Sequence, residues 1–102
     1  MTYTAKFPTE NIQKKFLKEV TRLPATVQTQ VWNVVRQLER NPRPFGAKLF
    51  KQLNPPVYLY TYAACYRVRV GEYRVLYDVD DKAKTVWVFA LKKRNEQTYK
   101  RH

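Results

Sequence analysis

The feature that most constrains the fold of this chain is the run from Tyr66 to Val79. Tyr66, Val68 and Val70 alternate with Arg67 and Arg69. Gly71-Glu72 intervenes, and Tyr73, Val75, Tyr77 and Val79 then alternate with Arg74, Leu76 and Asp78. Period-two alternation sends successive side chains to opposite faces of a strand, and a glycine-first pair suits a two-residue type II′ turn. The run therefore predicts a β-hairpin pairing Val70 with Tyr73, Arg69 with Arg74 and Arg67 with Leu76. Its Tyr/Val face needs an apolar cover. Its other face gathers Arg67, Arg69 and Arg74 into one small patch.

Upstream segments can supply that cover. Thr2 to Phe7 alternates as a half-buried strand does, and Pro8 ends it. Thr9 is placed to cap a helix whose apolar residues, Ile12, Phe16, Val20 and Leu23, recur at helical spacing, with Lys14, Lys15 and Lys18 turned outward. A second helix opens near Pro24, carries Val27, Val31, Val34, Val35 and Leu38, and closes at Asn41-Pro42. Arg43 to Leu53 reads as a basic loop or short strand broken by Asn54-Pro55-Pro56. Val57 to Ala63 has strand character but no evident partner. Thr85 to Leu91 is apolar on both faces, as a central strand is, and Lys92 to His102 is a basic tail suited to a short helix. The expected fold is α+β, β-α-α-β-β-β: β-α-α followed by three or four antiparallel strands, with the two-helix hairpin packed on one face of the sheet, residues 1–102 forming a single domain.

Charge narrows the function. The chain carries 20 Lys+Arg against 8 Asp+Glu, a net charge of +12. A polyanion relieves such an excess, which points to nucleic acid first, then an acidic membrane surface, then an acidic protein. The longest apolar run, Val86 to Leu91, is too short to span a bilayer, and Met1-Thr2-Tyr3-Thr4 does not begin a secretory signal. A single cysteine, Cys65, fits a reducing, cytoplasmic setting and reads as a packed small residue rather than a nucleophile. With the one histidine at the chain end, His102, the common zinc sites are excluded, so the expected chemistry runs without metal, cofactor or imidazole.

Like charges directly opposite one another destabilise a sheet, and a sequence shaped for stability alone would set an acid across from Arg69. The plain reading is an ordinary solvated face paired with Asp78 or Asp80. The functional reading, which outweighs it, is a phosphate cradle, since guanidinium groups bind phosphate oxygens bidentately and stay charged at any biological pH. Lys92, Lys93 and Arg94 extend the same surface, as Lys48 and Lys51 do more loosely. Tyr73 and Tyr77 share the parity of core valines. Tyr58, Tyr60 and Tyr62 can stack bases, line the core or meet a partner, and Tyr99 stands in a polar tail with no apolar period around it.

The run Tyr66 to Asp80, the hydrophobic strand after it, and Lys92-Lys93-Arg94 with Glu96 and Tyr99 closely resemble toxins of the RelE/ParE superfamily. The two helices ending at Asn41-Pro42 and the Gly46-Ala47-Lys48-Leu49 loop match the same pattern, so the resemblance covers nearly the whole chain. It implies a RelE-like fold, toxicity, and an adjacent acidic antitoxin. In the ribonuclease branch it implies metal-independent cleavage of mRNA in the ribosomal A site by attack of the 2′-hydroxyl on its own phosphodiester. Carried over by position, the active residues fall on Arg67, Arg69, Arg74, Arg94 and Tyr99, with Lys48, Lys51, Lys92 and Lys93 tracking the RNA backbone. The resemblance admits two alternatives: a ParE-like poison of DNA gyrase, and a non-catalytic RNA- or ribosome-binding module. The chain departs from many relatives in the longer connection from Asn54 to Cys65, which is open to reading as a lengthened strand, a partner contact or a flap.

Overall fold

The computed structural model describes residues 2–94. Thr4–Lys6 forms β1, Glu10–Thr21 forms α1 and Ala25–Arg40 forms α2. Phe50–Leu59, Tyr62–Val70, Tyr73–Asp80 and Thr85–Lys93 form β2 to β5. The five strands lie in one sheet in the order β1-β5-β4-β3-β2. Four strands follow the helices, the larger of the two numbers expected. One feature differs: the sheet is mixed, because β1 pairs parallel to β5 through Thr4↔Thr85 and Lys6↔Trp87 while every other junction is antiparallel. After β1, the two helices carry the chain to the far edge of the sheet. Four strands then meander back, and the last arrives beside the first in the same direction.

The local signals explain the helices. Thr9 Oγ1 accepts the Ile12 backbone N–H at 3.1 Å, so the expected N-cap forms. Ile12, Phe16 and Val20 are buried along α1, and Val31 and Leu38 along α2. They close over the sheet face that presents Tyr66, Val68, Val70, Val75, Tyr77, Val86 and Val88. The Tyr77 ring is fully buried, and its hydroxyl donates to the Pro42 carbonyl at 2.7 Å, tying β4 to the end of α2. Arg43, read as part of a basic loop, is instead a structural clamp. Its Nε donates to Tyr66 Oη at 2.8 Å and its two terminal nitrogens reach Asp81 at 3.1 and 2.9 Å.

The segment Asn54 to Cys65 corrects the strand reading. β2 runs through the Asn54-Pro55-Pro56 break, and the expected strand from Val57 to Ala63 is interrupted by a two-residue turn, Tyr60-Thr61, between paired Leu59 and Tyr62. Pairing passes from Gln52↔Tyr66 to Val57↔Ala64, so Leu53 to Pro56 bulge out opposite Cys65 alone. Proline cannot donate to a ladder, and bulges bend a strand strongly. β3 pairs with β4 only from Tyr66 onward. The outer half of the β2–β3 hairpin thus forms an arm. Its Val57, Leu59, Tyr62 and Ala64 gather a second apolar cluster with Leu76, Phe89, Trp87 and Ala90, and Tyr62 stacks on Phe89 with ring centroids 5.2 Å apart. Leu76 and Ala90 face one another in register and alternate with the main-core residues Val75, Tyr77 and Leu91. The arm therefore covers part of the sheet face that the helices leave open.

Candidate nucleic-acid interface

The predicted hairpin forms in the predicted register: Val70↔Tyr73, Arg69↔Arg74 and Arg67↔Leu76, with Gly71 at φ 60 in the turn. Neighbouring strands extend it. Arg74 faces Lys92 on β5, and Lys51 on β2 faces Arg67. Two rows of side chains result on the face away from the helices. One runs Arg69–Arg74–Lys92 across β3, β4 and β5, and the next runs Lys51–Arg67–Leu76–Ala90. Strands in a sheet lie roughly 4.8 Å apart, so five cations from four strands share one small patch.

Backbone carbonyls fix two of the arginines. Arg67 Nη1 donates to Leu49 O at 3.1 Å, the same carbonyl that accepts the Arg69 backbone N–H at 2.9 Å. Arg74 Nη1 donates to Arg94 O at 3.2 Å, and Arg94 is held by its own N–H on Glu72 O at 2.6 Å. Arg69 Nε is buried and meets no hydrogen-bond partner among the described residues. Arg69 takes part in neither of the ion pairs that join described residues, Arg22–Glu19 and Arg43–Asp81. An oxyanion seated on the row would both offset the repulsion between Arg69 and Arg74 and satisfy that buried donor.

The other sequence candidates divide. Arg94 follows the last residue of β5, is exposed, and is tied by its backbone to Glu72 at the β3–β4 turn, beyond the row itself. Lys93 pairs with Tyr73, whose ring packs on the main core, so Lys93 leaves on the opposite side. Lys48 is exposed on the loop beside Leu49. Tyr99 lies outside the described residues. Tyr73 and Tyr77 pack with the core as their parity predicts. Burial pushes the Cys65 thiol up, with the Asp78 carboxylate adding to the shift, which disfavours the thiolate. Among the described residues no group of His, Cys, Asp and Glu is placed to hold a metal, and no helix is long and apolar enough to cross a membrane.

One pair escaped sequence reasoning. Lys15 Nζ, on α1, donates to Tyr60 Oη at the tip of the arm at 2.6 Å. That ammonium holds the Tyr60 phenol below its usual range by hydrogen bond and charge, with Lys92 adding to the shift. No local pattern announces this contact, since Lys15 reads as an outward helix residue and Tyr60 as one tyrosine of an alternating strand.

Comparisons with known proteins agree with this architecture. The family model described as the ParE toxin of the type II toxin–antitoxin system parDE matches residues 3–98. No curated protein sequence gives a significant match. Among solved structures, the archaeal RelE–RelB complex from Pyrococcus horikoshii OT3 contains a chain 27% identical, with a TM-score of 0.70 over 94% of this chain and 99% of that one. The toxin–antitoxin complex RelBE2 from Mycobacterium tuberculosis contains one 25% identical, with a TM-score of 0.62 over 92% and 100%. The intact E. coli RelBE complex shares the fold at 24% identity and a TM-score of 0.60, over 92% and 99%. Sequence pattern, sheet order and these matches converge: the chain belongs to the ParE toxin family of type II toxin–antitoxin systems, within the RelE/ParE superfamily.

Proposed function

We propose that this toxin is a RelE-type endoribonuclease that cuts mRNA in the ribosomal A site without a metal. The observation that carries this reading is the row Arg69–Arg74–Lys92, flanked by Arg67 and Lys51 on the sheet face away from the helices. Opposing Arg69 to Arg74 sets like charges against one another across the ladder, whereas a scissile phosphate seated between them gains charge stabilisation as its phosphorane forms.

In this reading the RNA supplies the nucleophile. The 2′-oxygen attacks the adjacent phosphorus, the bond to the 5′-oxygen breaks, and the products are a 2′,3′-cyclic phosphate and a 5′-hydroxyl. One proton leaves the 2′-hydroxyl and one reaches the departing 5′-oxygen. Arg69 and Arg74 hold the phosphate, Arg94 assists them or lies near the leaving oxygen, and Tyr99 contacts the 2′-hydroxyl or stacks on a base. Arg67, Lys51, Lys92 and Lys48 follow the RNA backbone, and Lys93 takes part only where the RNA wraps the edge of β5. The proposed site of action is the cytoplasm. The solved relatives named above are complexes of RelE with RelB; here charge complementarity favours an acidic antitoxin that shields the basic face.

The family description names ParE, which favours a second reading, a gyrase poison. One experiment separates the two. Purified toxin is added to a translating extract, mRNA ends are mapped by primer extension, and gyrase supercoiling is assayed in parallel. Discrete cuts that vanish in Arg74→Ala, with that variant still folded, are the expected result. Intact mRNA with blocked supercoiling would transfer the assignment to the ParE reading.

A further inference from the structure

The arm built by Asn54 to Cys65 is not explained by phosphate binding, and its tip has an unusual residue. Tyr60 occupies the first position of the Tyr60-Thr61 turn at φ 59, in the left-handed region that favours glycine or asparagine. A tyrosine held there at a backbone cost points to a use for its side chain. That side chain does not serve the core, because Tyr60 is 74% exposed.

Its ring is nonetheless fixed in place. The Lys15 ammonium lies 2.6 Å from Tyr60 Oη and 5.3 Å from the ring centroid. Those two distances fit a nearly straight line from centroid through oxygen to nitrogen. The ammonium thus meets the ring at its hydroxyl edge rather than over a flat face. Two clefts meet at Ile12, Lys15 and Tyr60. One, of about 290 Å³, is lined by Leu59, Phe89 and Leu91 and reaches Lys92; the other, of about 250 Å³, lies toward Thr9 and Tyr62. Lys92 closes the circuit, since it faces Arg74 in the cationic row and also acts electrostatically on Tyr60.

We propose that the arm tip is a base-binding site, in which a nucleobase next to the phosphate held on Arg69 and Arg74 stacks on Tyr60, with Lys15 and Lys92 beside its backbone. The inference rests on the ribonuclease reading and adds to it a second base contact, at the arm tip, beyond the one proposed for Tyr99. Single-stranded RNA fits best, because every base offers a flat face to an aromatic ring and its phosphates suit the two ammonium groups. Tyr60 is thus a specificity-determining residue, and Lys15 a positioning residue that sets the ring.

The test uses the full chain and short single-stranded RNAs carrying 2-aminopurine at successive positions around a non-cleavable 2′-deoxy site. Wild-type toxin is expected to quench the fluorophore at one flanking position. Tyr60→Gly suits the turn better than tyrosine, so it folds at least as well. It should abolish that quenching and weaken binding by about tenfold or more. Tyr60→Phe should keep the quenching, and Lys15→Met should reduce it. The outcomes are distinguishable. Wild-type RNA binding that depends on Arg69 and Arg74 but is unchanged in Tyr60→Gly would overturn the arm-tip site and leave the nuclease reading standing. Failure of the wild type to quench the fluorophore at any position would likewise overturn the arm-tip site, while the nuclease reading stands or falls on the cuts mapped in the translating extract.

Discussion

Replacing Arg69 by methionine tests the claim that function, not folding, explains the cationic row. Methionine keeps an unbranched side chain of similar reach and removes the charge. Arg69 stands directly opposite Arg74, and like charges in that position cost roughly 0.2–1 kcal/mol. Its Nε is buried with no partner among the described residues, and an orphaned donor costs about 1–3 kcal/mol, of which the low end applies to a half-buried side chain. Against this stands the partial exposure of an apolar side chain, worth about 0.5 kcal/mol at ordinary area coefficients. The balance favours the variant by about 1 kcal/mol, which raises the melting temperature by roughly 4–8 °C in a domain of this size. Circular-dichroism melts at low salt and at 1 M salt read it. Screening at 1 M shortens the Debye length to about 3 Å, so the repulsive part of the gain fades while the buried-donor part remains. Inorganic phosphate should reverse the order, because an anion bound only by folded wild type contributes about 1.4 kcal/mol at tenfold excess over its Kd. Should Arg69→Met lose more than 1 kcal/mol at low salt, the guanidinium supports the fold, and the case for a phosphate cradle fails.

Two further outcomes follow from other contacts. Tyr77→Phe strands the buried Pro42 carbonyl and should cost about 1–3 kcal/mol in urea unfolding, with no effect on RNA binding per folded molecule. Asp81 is held at about 2 by its hydrogen bonds from Arg43 and Tyr3. A carboxyl depressed in the folded state stabilises above its unfolded value and loses that contribution as pH falls, here from 3.8 toward 2. Asp81→Asn should therefore melt lower than wild type at pH 6, with the gap closing by pH 2; a gap independent of pH would dissociate the Arg43 clamp from the Asp81 charge.

The parts of the fold legible in the sequence were those written in short-range pattern. Alternation plus Gly71-Glu72 sufficed for the β3–β4 register, and Thr9 with the spacing Ile12, Phe16, Val20 sufficed for α1. The arm was not legible, because Tyr60-Thr61 lacks the glycine or asparagine that marks a tight turn, and because paired prolines ordinarily argue against a strand. The parallel β1–β5 pairing joins residues about eighty positions apart and leaves no local trace. The cationic row was half visible. Arg67, Arg69 and Arg74 followed from parity alone. The inclusion of Lys92 and the departure of Lys93 depended on the register of β5 after its irregularity near Phe89, which no periodicity reveals. Arg43 looked like another cation of a basic loop until Asp81, far away in sequence, was seen to hold it.

The bulge of Leu53 to Pro56 opposite Cys65 has an evolutionary consequence. Because the hairpin beyond it pairs with no other strand, the segment can be lengthened or trimmed in a lineage without disturbing the rest of the sheet. Trimming it would bare Leu76, Phe89 and Ala90 to water, so homologues with a short connection should carry polar residues at those three positions. Inheritance of the arm and of its greasy footing should be linked.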